Sequence, residues 1–129
     1  MKKLLLVLLC FSFCICGCSK SEELDNDKIE KEIIYNMEKI LEVTDTTSSN
    51  PYDYTKNEYY KNIVNLGDPA INSLESMFND GTLTGVSAYL SALLIQDITG
   101  CNLVEEYNLD WSTASEFYDL WKDHNCSYK

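Results

Sequence analysis

Arginine is absent from the chain, and all ten basic residues are lysine. Arginine carries the planar fork that grips phosphate in a bidentate way. Its absence, together with a formal net charge of −11, argues against nucleic acid as a partner. Histidine is nearly absent as well: His124 is the single one, lies beside Asp123 close to the carboxyl end, and has no nucleophile at a recognisable spacing. There is no glycine-rich phosphate loop, no Gly-x-Ser-x-Gly elbow and, beyond Cys18, no Cys-x-x-Cys pair. Glu105, Glu106 and Asp110 gather carboxylates, but calcium loops space their acids at alternate positions around a glycine, and this stretch does not. No metal or cofactor and no catalytic residue is therefore expected. Sustained alternation of period two is missing, which removes a strand-built domain, and no apolar run reaches the roughly 20 residues of a membrane-spanning helix.

What is present begins with Met1, Lys2 and Lys3, a short positive segment, followed by an apolar run from Leu4 to about Ile15. The polar residues Ser19, Lys20, Ser21, Glu22 and Glu23 follow shortly after, so the pattern is that of an export signal. Four cysteines crowd the end of the run, and signal peptidases need a small side chain before the cut. Only Cys18 has one, Gly17; the residues before Cys10, Cys14 and Cys16 are Leu9, Phe13 and Ile15. The stretch Ile15-Cys16-Gly17-Cys18 resembles the lipobox of bacterial prolipoproteins. That resemblance implies a diacylglyceryl thioether on Cys18 and cleavage between Gly17 and Cys18, with the chain exported and held at the outer face of the cell membrane or envelope. One acyl chain binds a bilayer only marginally, and a diacylglyceryl group supplies two. The alternative is an ordinary signal peptide cut nearby.

Three segments are expected: a signal peptide over 1–17, a flexible tether over 18–27 and a single folded domain over 28–129. Removing 17 of the 129 residues leaves 112, enough for one small core. The remaining eight lysines face 21 acidic side chains, a balance near −13, which disfavours lying flat on an anionic bilayer. The tether is read from polar residues without an apolar period. Ile29, Ile33, Ile34, Met37, Ile40 and Leu41 then fall on one helical face, and the polar run from Thr44 to Asn50 ends that helix before Pro51. A second helix is expected over Tyr52–Leu66, closed by Gly67. Within it Tyr52, Tyr54, Tyr59 and Tyr60 are either a recognition surface or padding for a small core.

Asp68-Pro69 reads as a helix start with Asp68 as the cap. Ala70, Ile71, Leu74, Met77 and Phe78 form its buried stripe, and Asn79-Asp80-Gly81 ends it. Val86 to Thr99 is the most apolar helix, closed by Gly100. Thr113-Ala114-Ser115-Glu116 fits a capping box ahead of Phe117, Leu120 and Trp121. The expected fold class is all-α, about five helices after the signal peptide. Leu66-Gly67-Asp68-Pro69-Ala70, with Leu74, Phe78, Ala88, Ala92, Leu93 and Ile98, resembles a HEAT-type helical repeat over Leu66–Gly100. The resemblance implies a scaffold that binds proteins or peptides. Stacked repeats normally need three or more units, so an irregular bundle with one repeat-like hairpin is the competing architecture.

Once Cys18 is lipidated, Cys101 and Cys126 are the two remaining thiols, and an exported chain lies where disulfides persist. A bridge between them is expected; the alternative leaves both free. Two function classes follow. The first is a non-catalytic binding lipoprotein, whose partner is an envelope or secreted protein and, given the acidity, a basic one. The second is an envelope-polymer hydrolase with carboxylates brought together by the fold.

Overall fold

A computed structural model describes residues 19–45, 47–124 and 126, with side chains described from Asp25 onward. Gly17 and Cys18, on which the lipidation reading rests, lie outside the described residues. The domain is all-α, as expected. Among the described residues six helices run in the order α1 (Ser19–Val43), α2 (Glu58–Leu66), α3 (Asp68–Asn79), α4 (Val86–Thr99), α5 (Leu103–Tyr107) and α6 (Ala114–Asp123), with a 3-10 helix (Pro51–Thr55) before α2. Among the described residues there is no strand, and no helix is long and apolar enough to cross a membrane.

The segment expected as a tether is instead the beginning of α1, whose helix reaches back to Ser19. The reason is that packing and helicity are separate matters. Asp25, Asn26 and Asp27 are exposed, and Ile33, Met37 and Ile40 anchor the helix further along. A helix nucleated there extends backward one residue at a time at little cost. The apolar stripe of α1 also differs from expectation at one position. Ile34 is 38% exposed, while Asn36 is buried. Asn36 is satisfied there: its amide donates to the Glu32 carbonyl at 2.8 Å and its Oδ1 accepts from Asn62 of α2 at 3.1 Å.

The helix expected over Tyr52–Leu66 is broken in two at Asn57. Asn57 Oδ1 accepts the Tyr60 amide at 2.9 Å, which makes Asn57 the cap of α2, and its amide group donates to the Tyr54 carbonyl at 2.8 Å. One short side chain therefore closes the 3-10 helix and opens the next, the local competition for backbone partners that asparagine favours. The junction between α2 and α3 is a single glycine. Gly67 caps both helices at φ +69°, a conformation that side-chain-bearing residues rarely adopt. Asp68 is the first helical residue and makes no side-chain cap bond, contrary to the expected capping role; its charge still suits the first turn.

The buried stripe of α3 is Ala70, Ile71, Leu74 and Met77, as expected, with Phe78 partly buried. The turn 80–85 then leads into α4, which packs against α2, α3 and α6 and buries Leu90, Leu93, Leu94 and Ile95. Gly100 ends it in the left-handed region. The helix α5 was not foreseen: Asn102 caps it by accepting the Val104 and Glu105 amides, and only Leu103 is buried. On α6 the expected capping box is complete, with Thr113 Oγ1 accepting the Glu116 amide and Glu116 accepting the amides of Ser112 and Thr113. Those amides hold the Glu116 carboxyl below its ordinary range. Phe117, Tyr118 and Trp121 are the buried face of α6, and Trp111 packs back edge-on against Phe117 at 5.1 Å. Replacing Thr113 by alanine is expected to lose about 1 kcal/mol in urea denaturation. An unchanged midpoint would show that the box contributes nothing.

Candidate functional site

The tyrosine cluster read from the sequence is divided by the bend at Asn57. Asn50 Oδ1 accepts the Tyr52 amide at 3.1 Å and Pro51 starts the 3-10 helix, which turns Tyr54 into the core at 7% exposure. Tyr59 is partly buried on the α1 side, near enough to act electrostatically on Lys39. Tyr60 and Tyr52 go the other way, toward α4. Tyr60 is buried except for its edge, and its hydroxyl donates to Asp97 Oδ2 at 2.8 Å. Tyr52 is 57% exposed and close enough to bear on the hydroxyls of both Tyr60 and Tyr89.

Asp97 is the residue that sequence reasoning missed. It is the only charged side chain in α4 and stands in the last turn, where the negative end of the helix dipole disfavours a carboxylate. The Tyr60 hydroxyl offsets that penalty. A lone acid in the last turn of an otherwise uncharged helix was the available signal. Burial, followed by the charge of Asp97 and the hydrogen bond to it, pushes the Tyr60 hydroxyl far above the ordinary phenol range.

A cleft of about 440 Å³ opens beside this pair, lined by Thr55, Tyr60, Lys61, Val64, Asn65 and Asp97. Among the described residues neither Lys61 nor Asp97 enters an ion pair, so the cleft offers one ammonium, one carboxylate and the Asn65 amide. Tyr89 of α4, partly buried, adjoins Trp111 with ring centres 4.8 Å apart. Tyrosine and tryptophan with a few polar groups are the materials of protein-recognition surfaces. Asp97 is the sole carboxylate lining this cleft, so the pair of facing acids a glycosidase uses is not assembled in it.

The remaining candidates sit elsewhere. Cys101 and Cys126 are joined as a disulfide with Cα atoms 5.9 Å apart, as expected. His124 caps the end of α6, where its Nδ1 lies 2.9 Å from the Leu120 carbonyl oxygen and its ring is 5.0 Å from that of Tyr107. Glu106 accepts the Asn102 amide at 3.3 Å, a capping contact on α5. Among the described residues no three histidine, cysteine or acidic side chains converge as a metal site. No family model, no curated protein and no solved structure matches this sequence.

Proposed function

We propose that the protein is an envelope lipoprotein, anchored through a lipid on Cys18, whose helical domain binds a protein or peptide partner without catalysis. The observation that carries the binding part is the cleft in which the Tyr60–Asp97 pair, Lys61 and Asn65 present an aromatic ring beside hydrogen-bonding groups, next to the 3-10 helix that carries exposed Tyr52 and ends at the lining residue Thr55. The anchoring part is supported by the Gly17-Cys18 junction behind a charged and apolar leader, and the Cys101–Cys126 disulfide agrees with an exported chain. The pairing of α3 with α4 across a short turn is compatible with a HEAT-like hairpin, a scaffold class that serves binding.

Expression in a lipidation-competent host, followed by intact-mass analysis and membrane fractionation, tests the anchor. The expected product begins at Cys18, carries the lipid mass and sediments with membranes, while Cys18→Ser is soluble or unprocessed. An unmodified wild-type product would sink the anchor. Capture of envelope proteins on the processed protein tests the binding surface. Tyr52→Ala and Lys61→Ala, both at exposed positions, should each cut recovery of the captured partner at least tenfold, and equal recovery with both would remove the cleft from the account.

A further inference from the structure

A second surface, sharing no lining residue with the cleft at Asp97, lies between α1 and the turn 80–85. Ile34, Met37 and Leu41 form one wall and Leu83 the other, with Glu38 and Ser87 among the residues lining the groove, a mostly apolar space of about 300 Å³. Met37 and Leu83 are buried, whereas Ile34 stands 38% exposed at its mouth. Ile34 belongs by sequence to the core stripe of α1, so the groove holds an apolar side chain without an apolar partner. Val86, next to Ser87 in sequence, is 46% exposed.

Most of the charges around this groove are negative. On α1, Asp27, Glu30, Ile34, Glu38 and Leu41 fall at the three- and four-residue spacings that align side chains along one ridge, so three acids bracket Ile34. Lys31 is the one cation near that ridge. On the turn that supplies Thr82 and Leu83 to the groove, Asp80 carries a further carboxylate, whose Oδ1 accepts the Thr82 amide at 2.9 Å. The ion pairs among the described residues take up Glu42, Asp53 and Glu75, leaving Asp27, Glu30, Glu38 and Asp80 without a cation. An apolar floor with an acidic rim fits an apolar side chain flanked by lysine or arginine, and the same rim repels an anionic bilayer.

We infer that this groove docks a basic amphipathic segment of a partner protein, which inserts an apolar residue against Ile34, Met37 and Leu83 and sets its cations against Glu30, Glu38 and Asp80. The inference rests on the reading of the domain as a binding module and adds a second recognition face to it.

The test uses the processed full-length protein in detergent and a labelled amphipathic peptide with leucine on one face and lysine on the other, read by fluorescence anisotropy. The lysine peptide is expected to bind, and its counterpart with glutamate for lysine to bind at least tenfold more weakly. Ile34→Asp and Glu38→Lys should each weaken the lysine peptide at least tenfold, with tightening at low salt for the wild type. Glu105→Lys makes the same charge change on α5, away from the groove, and should move the affinity less than twofold. An equal effect of Glu105→Lys and Glu38→Lys would reduce the attraction to overall charge and overturn the proposal, as would absence of binding. Ile34→Ser replaces Ile34→Asp should the latter lower the Tm. If the groove variants bind peptide like wild type while Tyr52→Ala still abolishes partner capture, this inference fails and the binding-module reading stands.

Discussion

Leu90→Ala is expected to destabilise the domain by about 2 to 5 kcal/mol, the range for deleting a buried leucine side chain where the surroundings collapse incompletely. Leu90 has no solvent exposure, and it lies on α4, the helix that packs against α2, α3 and α6, so the cavity would open where few neighbours can move to fill it. Small domains have only about 5 to 15 kcal/mol of total stability. The substitution would therefore remove a large share, and the Tm should fall by roughly 10 °C or more. Val86→Ala on the same helix provides the contrast: Val86 is 46% exposed, and its truncation should stay within about 0.5 kcal/mol. Urea denaturation of the two variants beside the wild type measures both. A loss under about 0.5 kcal/mol for Leu90→Ala would show that this face of α4 is not core.

The helices whose existence depends on burial were legible, because apolar side chains at helical spacing leave a pattern that any packed helix must show. Thus α3, α4 and α6 were read nearly to their ends, and the Thr113–Glu116 box was read atom for atom, since both partners lie within one turn. The misreadings fall where a local choice has no apolar signature. At Asp25 to Asp27 α1 is helical while its side chains are exposed. The break at Asn57 depends on which backbone groups one amide side chain satisfies, and helical spacing runs through it undisturbed. At Asp68 the sequence offers an excellent cap, but Gly67 already serves both helices from the left-handed region, and Asp68 is displaced one position inward.

The site was less legible than the fold. The tyrosines were visible as a group, yet neighbours in sequence face different ways on a helix. Tyr59 and Tyr60 separate toward α1 and α4, and of the four only Tyr60 lines the cleft. Its polar partner, Asp97, is 37 residues distant from Tyr60, and nothing in local spacing links them. Ile34 shows the converse. Its spacing is that of a core residue, so periodicity assigns it inward. α1 packs against α2, α3 and the 3-10 helix, which cover Ile33, Met37 and Ile40 but not the part of its apolar arc that holds Ile34, and that part becomes surface.

Breaking the Cys101–Cys126 bridge should cost about 3 kcal/mol. The bond closes a loop spanning 25 residues, for which the loss of chain entropy in the unfolded state sets that scale. Its position makes the effect felt at one end of the molecule. Cys101 follows Gly100 at the end of α4, and Cys126 follows the end of α6, so the bridge holds the last helix against the central one. Within the bridged segment, α5 buries Leu103 alone, and α6 relies on Phe117, Tyr118 and Trp121 for its attachment. Tyr118 is itself fixed by contacts to Ser91 at 2.9 Å and the Leu74 carbonyl at 3.4 Å, with Phe78 stacked on its ring at 4.1 Å. Reduction should accordingly loosen α5 and α6 first while α1 to α4 retain their packing, and amide exchange should rise over residues 101–124 before elsewhere. Guanidinium denaturation with and without reductant, beside the Cys101→Ala, Cys126→Ala double variant, measures the total. Reduced wild type and double variant should lose stability by similar amounts, whereas a reductant effect that persists in the double variant would assign the change to another cause. Two free thiols per chain in the unfolded, unreduced protein beginning at Ser19 would show that the bond does not form.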